Sequence, residues 1–378
     1  MVTPALYVHV PFCPSICPYC DFHKMLRNEG LVARYVARLE AEAAAVSAAF
    51  PGSPATVYLG GGTPSHLTDA ELTRVFAALR DGWGEATGRA ETTLEADPLT
   101  FDEGRLTTFN ALGVTRLSIG LQSADDATLR FLGRVHDAAA GLAAARLALA
   151  EGFRVNVDVI MAVPGQDVES DLRRVADLGA RHVSVYSLTV EPGTPFARRG
   201  VRVDPEADAD AFELAGQVLA EYGLRRYEVS NFAAPGEESL HNLTYWRGEP
   251  YLGIGPSASA YLPVGGPFGV RYKNPTIKAW LAGEPPEVET LSADDYLLER
   301  LMTGLRTREG VDLEWLERRV GTTLATVAPT WLHDVTRHAL LERVEGRLRA
   351  TPTGLERLDG VLRAFVGSRT PIAIDQGP

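Results

Sequence analysis

The sequence contains few cysteines, and it lacks long hydrophobic runs. Only three of the 378 residues are Cys, an odd and small number that excludes a secreted fold held together by disulfides. No apolar run approaches the roughly 20 residues that cross a bilayer. The N-terminus has no charged leader followed by an apolar stretch, so a signal peptide is not expected. We therefore expect a cytoplasmic protein without an integral membrane segment.

Positive charge is also scarce. The chain has 37 Lys and Arg against 49 Asp and Glu, a net charge of −12, which argues against binding nucleic acid through bulk electrostatics. Hydrophobic residues make up 45% of the chain and charged residues 23%, so general disorder is excluded and a substantial core is possible. The length predicts one large domain or two unequal ones.

Short β-branched runs alternate with Ala-rich amphipathic stretches over residues 1–225. The pattern predicts strands at 6–9, 56–59, 92–95, 116–119, 155–160 and 182–188. It predicts helices between and after them at 31–49, 69–81, 101–112, 125–131, 138–151, 168–178 and 205–222. Strand–helix alternation indicates a parallel α/β sheet with right-handed crossovers, and six such units predict a barrel or a partial barrel.

The pattern changes after residue 225. We predict a strand at 227–232 and a Pro- and Gly-rich connection at 263–286, so that 226–289 extends the barrel and connects it to the C-terminal part of the chain. Helices followed by a hairpin at 340–350 and a helix at 353–365 predict a small winged-helix-like α+β domain over 290–366. This domain has 11 Arg and 12 acidic residues, so it offers no strong basic face for DNA. Residues 367–378 are predicted to form a disordered tail.

The three cysteines, Cys13, Cys17 and Cys20, lie within eight residues, directly after the first predicted strand. Thiolates are the preferred ligands of iron–sulfur clusters and also suit zinc. Three thiolates on a four-iron cluster leave one iron open to another ligand. A structural zinc site takes a fourth protein ligand, for which the neighbouring candidates are His9, Asp21 and His23.

Polar and Gly-rich residues follow all six predicted strands. The second strand is followed by Gly60-Gly-Gly-Thr-Pro64, and Glu95, Gln122 and Asp158 lie on or after the third, fourth and fifth. Because chemistry in such folds lies at the carboxyl ends of the strands, these residues are expected beside the cysteine loop.

The cysteine spacing, the aromatic Tyr19 before the last Cys, and Gly-Gly-Thr-Pro after the second strand resemble the radical S-adenosylmethionine (SAM) superfamily. The resemblance implies a partial (β/α)6 barrel, a [4Fe–4S] cluster on the three cysteines, and SAM chelating the open iron. It implies an electron donor for the cluster and cleavage of SAM to methionine and a 5′-deoxyadenosyl radical. The positions that it implies for SAM contact are Tyr7, Tyr19, Gly61, Gly62, Thr63, Glu95, Gln122, Arg134 and Asp158.

A finer resemblance, to the coproporphyrinogen III dehydrogenase-like branch, lies in Tyr7-Val-His-Val-Pro-Phe-Cys13, Gly120-Leu-Gln122 and Pro164-Gly-Gln166. This branch holds oxygen-independent coproporphyrinogen III dehydrogenases and haem chaperones of the HemW type. Three features favour a chaperone. Phe22 occupies the place of the dehydrogenases' fourth Cys, the N-terminal extension of the dehydrogenases is missing, and His241-Asn-Leu-Thr-Tyr245-Trp246 matches the HNxxYW motif of the chaperones.

The HNxxYW motif implies a haem site, with His241 as axial ligand and Tyr245 and Trp246 covering the macrocycle. We therefore expect a haem chaperone that binds [4Fe–4S], SAM and haem and delivers haem to apoproteins such as respiratory haem proteins. The alternative is a dehydrogenase that decarboxylates coproporphyrinogen III, and a third reading is a barrel stabilised by zinc. We expect the protein to be a monomer or a homodimer, and peripheral contact with a membrane is compatible with the sequence.

Overall fold

The fold is a large sheet with helices on its outer face, followed by a small C-terminal domain. The structure, a computed structural model, describes residues 4–84 and 91–372. Six adjacent parallel strands form the centre of the sheet: β1 (Ala5–Val10), β2 (Thr56–Gly61), β3 (Glu91–Ala96), β4 (Arg116–Gln122), β5 (Arg154–Met161) and β6 (His182–Ser187). All six predicted strands are confirmed, with ends that differ by no more than three residues.

Helices occupy the crossovers between these strands and follow β6. They are α1 (Glu29–Ala49), α2 (Asp69–Trp83), α3 (Glu103–Ala111), α4 (Asp126–Phe131), α5 (Ala138–Ala150), α6 (Val168–Ala176), α7 (Pro195–Arg198) and α8 (Pro205–Glu221). Each begins after an Asn, Asp or Thr whose side chain accepts a backbone N–H of the first turn, as in Asn28 and Thr68. The inner faces of these helices and the sheet enclose the main hydrophobic core.

The barrel is partial because other strands lie on the free edges of β1 and β6. Strand β6 pairs antiparallel with β7 (Asn231–Ala233), and β1 pairs in parallel with β8 (Tyr251–Ile254). Beyond β8 the sheet continues antiparallel through β9 (Ser259–Leu262), β10 (Val270–Lys273) and β11 (Glu287–Thr290). The predicted partial barrel is therefore confirmed.

Two predictions for the middle of the chain were wrong in detail. The strand predicted at 227–232 begins only at Asn231, and a short strand, Arg225–Arg226, pairs with it. The segment 263–286, predicted to be a connection, contains β10 and helix α10 (Ile277–Leu281). The HNxxYW residues lie earlier in the chain, on helix α9 (Leu240–Arg247). Composition misled here because strand pairing, which it does not encode, orders this Pro- and Gly-rich segment.

The C-terminal domain has its own apolar core, which includes Leu316, Trp331 and Phe365. Its helices are α11 (Ala293–Gly304), α12 (Leu313–Val320), α13 (Leu324–Val327), α14 (Pro329–Arg337), α15 (Pro352–Glu356) and α16 (Leu358–Ser368). Its three-stranded sheet has β12 (Val311–Asp312) beside β14 (Arg347–Ala350), which pairs with β13 (Leu341–Val344). The predicted order of helices before a hairpin is confirmed.

The end of the chain differs from the prediction. The helix predicted at 353–365 is two helices, and α16 extends to Ser368, into the segment expected to be a disordered tail. The last part of that segment, 373–378, lies outside the described residues. Within residues 4–84 and 91–372, no helix is both long and apolar enough to span a bilayer.

Candidate cofactor-binding site

The cysteine loop lies at the carboxyl end of β1. Cys13 belongs to a short strand, Phe12–Cys13, that pairs with Met25–Leu26, and the backbone N–H of Cys20 donates to the carbonyl of Cys17 at 3.2 Å. All three cysteines are free and half-buried. Burial raises the pKa of Cys13 to about 11, with the neighbouring Cys20 and Cys17 adding to the rise, so the thiols are close enough to influence one another.

The loop has the donor chemistry of an iron–sulfur site. Lys24 donates to the carbonyl of Cys20, and its positive charge lowers the pKa values of Cys13 and Cys20 against the effect of burial. In the part of the chain that is described, no three His, Cys, Asp or Glu side chains are placed to share a single metal ion. A four-iron cluster binds each thiolate at a different iron, so its cysteines do not converge on one point.

Arg134, a predicted SAM contact, reaches the cysteine loop. Its Nη1 donates to Cys17 Sγ at 3.2 Å, while Nη2 donates to Asp97 Oδ2 at 2.5 Å and to the carbonyl of Gly120 at 3.0 Å. The Nε of Arg134 is buried without a hydrogen-bond partner within the described residues. This arrangement holds a guanidinium against the thiol and leaves one donor for a further acceptor.

Tyr19, the aromatic before the last Cys, packs against Phe196. Its ring lies 6.2 Å from that of Phe196, and burial together with Cys17 raises the pKa of its hydroxyl. Tyr19 therefore stays neutral beside the thiol.

The glycine loop after β2 lies directly against the cysteine loop. The N–H groups of Gly62 and Thr63 donate to the carbonyls of Val10 and Phe12, each at 2.8 Å. Gly61 has a φ of +110°, and a Cβ on it would lie 2.3 Å from the ring of His9, so a side chain does not fit there. Thr63 forms a side-chain hydrogen bond with Cys13 that lowers the pKa of that thiol. The predicted glycine positions and a cluster cysteine are thus brought together.

Glu95 joins the glycine loop to the barrel interior. Its Oε2 accepts the N–H of Gly61 and its Oε1 accepts the hydroxyl of Tyr58, both at 2.9 Å. Tyr7 stacks on Tyr58 with ring centroids 6.1 Å apart. Tyr7, Gly61 and Glu95 line one end of a cavity of about 840 Å³. Three of the predicted SAM contacts therefore face one space.

Gln122 and Asp158 lie at the ends of the next two strands. A bulge between Ile119 and Gln122 shifts the register of β4 with β5, and Gln122 adopts a φ of +70°. Its amide nitrogen lies above Gly120, where a Cβ would approach it to 2.9 Å. Asp158 accepts from Ser118 at 3.0 Å. Bulges change the direction of neighbouring side chains and are common beside functional sites.

His241, the predicted axial haem ligand, is almost fully buried. One ring nitrogen, Nδ1, lies 2.8 Å from the hydroxyl of Thr56, and the other, Nε2, lies 2.7 Å from that of Tyr245. Burial lowers the pKa of His241 to about 3. In this conformation neither ring nitrogen is free to bind iron. Trp246 is half-buried on the same helix, and among the described residues no ring contact places it beside His241.

A chain of hydrogen bonds connects Asp158 to the helix that carries His241. Asn156 donates to Asp158 Oδ1 at 2.9 Å, and His182 bridges Asn156 Oδ1 at 2.6 Å and the hydroxyl of Tyr227 at 2.9 Å. That hydroxyl accepts the N–H of Ser239, which caps α9, at 3.3 Å. Asp158 and α9 are therefore connected through side chains that the sequence analysis did not single out.

Family relationships agree with this site. A family model described as "Radical SAM superfamily" matches residues 7–179, and one described as "HemN C-terminal domain" matches residues 291–356. Proteins named "Heme chaperone HemW" from Lactococcus lactis and Mycobacterium tuberculosis are 33% and 37% identical to this chain. These alignments cover 95% and 96% of this chain, and 96% and 94% of the relatives. The chain belongs to the radical SAM HemW/HemN family.

The fold of this HemW/HemN family member also has a solved counterpart. The structure of coproporphyrinogen III oxidase (HemN) from Escherichia coli is similar with a TM-score of 0.81 at 23% identity, covering 96% of this chain and 90% of that chain. At this identity the likeness establishes the fold alone. Membership of the radical SAM superfamily implies a [4Fe–4S] cluster and SAM. The three thiols, the cradle around Gly61 and the unpartnered Nε of Arg134 fit both groups.

Sequence reasoning on this HemW/HemN chain missed Asp97 and Tyr58, which hold the predicted side chains Arg134 and Glu95. Asp97 follows Glu95 on the same strand end, and that position was the available signal. Tyr58 looks like an ordinary strand aromatic, because nothing local marks the partner of its hydroxyl, which lies 37 residues away.

The carboxyl group of Glu95 predicts a pH dependence of stability. Burial raises its pKa from 4.5 to about 7 in the folded protein. Because the folded state then binds the proton more strongly than the unfolded chain, stability falls as pH rises from about 4.5 to about 7, by at most about 1.4 kcal/mol per pH unit. Glu95→Gln in the protein without cluster and SAM is expected to flatten this dependence in thermal unfolding at pH 5 and pH 8. The exposed Glu151→Gln is the control, and equal pH slopes in all three proteins would contradict the expectation.

Proposed function

We propose that the protein is a haem chaperone that holds a [4Fe–4S] cluster on Cys13, Cys17 and Cys20, binds SAM, and delivers haem to apoproteins. The observation that carries the proposal is Phe22. It stands where the dehydrogenases have a fourth Cys, the residue is 67% exposed, and it lines the same cavity as Glu95 and Gly61. An exposed apolar ring at this point suits a flat apolar ligand and is no ligand for a second metal site.

The SAM contacts in this proposal are the side chains at the strand ends. Gly61, Gly62 and Thr63 hold the amino-acid end of SAM, and Arg134 and Asp158 contribute charge and hydrogen bonds at neighbouring strand ends. Tyr7, Tyr19, Glu95 and Gln122 complete the set. The recipient apoprotein, an electron donor and a cytoplasmic location belong to the same proposal.

Coproporphyrinogen III dehydrogenase is the second candidate. The observation that favours it is the intact set of polar strand ends, including the Arg134–Asp97 pair, which a radical reaction on SAM would also need. It requires a substrate that gives up two propionate carboxyl groups.

Two anaerobic measurements on the reconstituted protein distinguish these activities. Titration with hemin is expected to shift the Soret band and saturate. Incubation with coproporphyrinogen III, SAM and a reductant is expected to give no protoporphyrinogen. Ovalbumin, which has no specific haem site, and protein without the cluster serve as controls for nonspecific hemin uptake. Protoporphyrinogen formation, or hemin uptake no stronger than that of ovalbumin, would contradict the chaperone proposal.

A further inference from the structure

The cavity beside the strand ends extends well beyond the predicted SAM contacts. Its lining includes the half-buried Tyr7, Gly61 and Glu95, and also residues from the end of the cysteine loop and from the segment 273–287, most of which are exposed. We call the part lined by this second group the outer half. The total volume of about 840 Å³ is in the upper part of the range for cofactor-sized pockets. The outer half is therefore a place for a second ligand beside SAM.

The outer half has one apolar face with a lysine beside it. Phe22 is exposed, and Pro275, Pro285 and Pro286 add rigid apolar surface. Lys273 lines the same space and is exposed, and it lies opposite Glu287, which also lines the cavity, in the pairing of β10 with β11. A rigid apolar surface beside an ammonium group suits a planar apolar ligand that carries a carboxylate at its edge.

Histidine is the common protein ligand of haem iron. His9 and His23 line this cavity, and the ring of His241 lies 6.5 Å from that of Tyr7, which also lines it. His241 has both ring nitrogens in short hydrogen bonds, as described above. His9 does as well, since its Nδ1 lies 3.1 Å from the hydroxyl of Tyr7 and its Nε2 donates to the carbonyl of His23 at 2.9 Å. Either ring would have to give up one of its two hydrogen bonds to bind iron.

His23 is different, because its backbone carbonyl is held by a short hydrogen bond whereas its ring has only a weak one. The carbonyl of His23 accepts from His9 Nε2, but among the residues that the structure describes the only hydrogen bond of the His23 ring is a long one of 3.4 Å, from the N–H of Ile277 to Nε2. Within residues 4–84 and 91–372, Nδ1 makes no hydrogen bond. The ring is half-buried and lines the cavity next to Phe22. Binding a metal here therefore costs little in broken contacts.

We propose that the outer half of this cavity is the haem site, with the His23 imidazole as an iron ligand, Phe22 against a face of the macrocycle and Lys273 against a propionate. This inference rests on the proposed function and deepens it. It replaces His241 as the axial ligand with a residue three positions after the last cluster cysteine. Haem bound there shares the cavity with the SAM contacts Tyr7, Gly61 and Glu95.

The test uses the full chain, reconstituted with its cluster and titrated with hemin. His23→Ala is expected to bind hemin at least tenfold more weakly and to lose the Soret and electron paramagnetic resonance signals of imidazole ligation. His23→Gly is expected to regain those signals when imidazole is added. His338→Ala, an exposed histidine of the C-terminal domain, is the matched control and should behave as wild type. Unchanged affinity and spectra in His23→Ala would overturn the inference.

The cluster content of each variant separates a lost ligand from a damaged loop. His23→Ala is expected to keep the iron, the sulfide and the visible absorbance of the wild type. If it does not, His23→Gln, which retains a polar side chain of similar length, is judged by the same hemin criteria. Lys273→Ala should weaken binding severalfold without a spectral change, whereas Lys278→Ala, an exposed lysine outside the cavity, should not.

The outcomes also separate this inference from the proposed function. If the wild-type protein takes up no more hemin than ovalbumin, the chaperone proposal itself is wrong. If the wild type binds hemin and His241→Ala loses the imidazole signals while His23→Ala keeps them, the chaperone proposal stands. In that case the ligand lies on α9 and only the assignment to His23 is wrong.

Discussion

Cys17→Ala is expected to abolish the iron–sulfur cluster. After anaerobic reconstitution the variant should lack the broad visible absorbance of the cluster and should contain almost no iron or sulfide. The reason is that the described site offers three thiols, and Cys17 is the one that Arg134 contacts, at 3.2 Å. With one of three thiolates removed, two irons of the cluster have no protein ligand, and two remaining thiolates do not hold it.

Ser15→Ala is the matched control, because it changes a half-buried residue of the same loop without removing a thiol. It should keep the wild-type absorbance and metal content. Retention of the absorbance in Cys17→Ala would show that another side chain binds the iron. Zinc without iron or sulfide in the wild-type protein, purified anaerobically, would instead support the structural zinc site that the residues alone left open.

Glu91→Ala is expected to lower the free energy of unfolding by about 3–5 kcal/mol. Glu91 Oε2 accepts from Arg116 Nη2 at 3.0 Å and from Arg154 Nη1 at 3.3 Å. The side chains of Glu91 and Arg116 are only 1% and 2% exposed, so removing the carboxylate leaves a buried guanidinium without its counter-charge. Bonds from Arg116 to two backbone carbonyls remain, but they do not neutralise it. Denaturant unfolding of the two proteins measures the difference.

Glu314→Ala provides the comparison for Glu91→Ala. Glu314 pairs with Arg318 at 2.7 Å, but these side chains are 78% and 68% exposed, so the loss should be at most about 1 kcal/mol. Similar losses in the two variants would show that the Glu91 pair contributes no more than a surface pair. Glu91 Oε1 also accepts the N–H of His241 at 3.2 Å, so a local change at α9 should accompany the loss of stability.

The strands and the cysteine loop could be predicted because their signals are local. Short runs rich in β-branched residues define β1 to β6, and an Asn, Asp or Thr marks the start of each helix in the barrel. The positions of Glu95, Gln122 and Asp158 followed from the rule that parallel strands end at one edge of a sheet. The segment 263–286 was misread, because strand β10 and helix α10 are stabilised by partners distant in sequence.

The hydrogen bonding and burial of each side chain at the site also depend on partners that are distant in sequence. His241 looked like a free haem ligand in its motif, yet Thr56, 185 residues away, contacts one of its nitrogens. His23 looked like one of several residues near the cysteines, yet it lines a cavity whose outer wall comes from residues 273–287.

The sequence by itself determined the family, the partial barrel and the cysteine loop, because spacing and periodicity are properties of neighbouring residues. Only the tertiary structure decided which histidine ring is free, which charges are buried in pairs and how far the cavity extends. The physical reason is that burial and hydrogen bonding depend on which residues pack together across the fold, and residues such as Thr56 and His241 meet only when the sheet has formed.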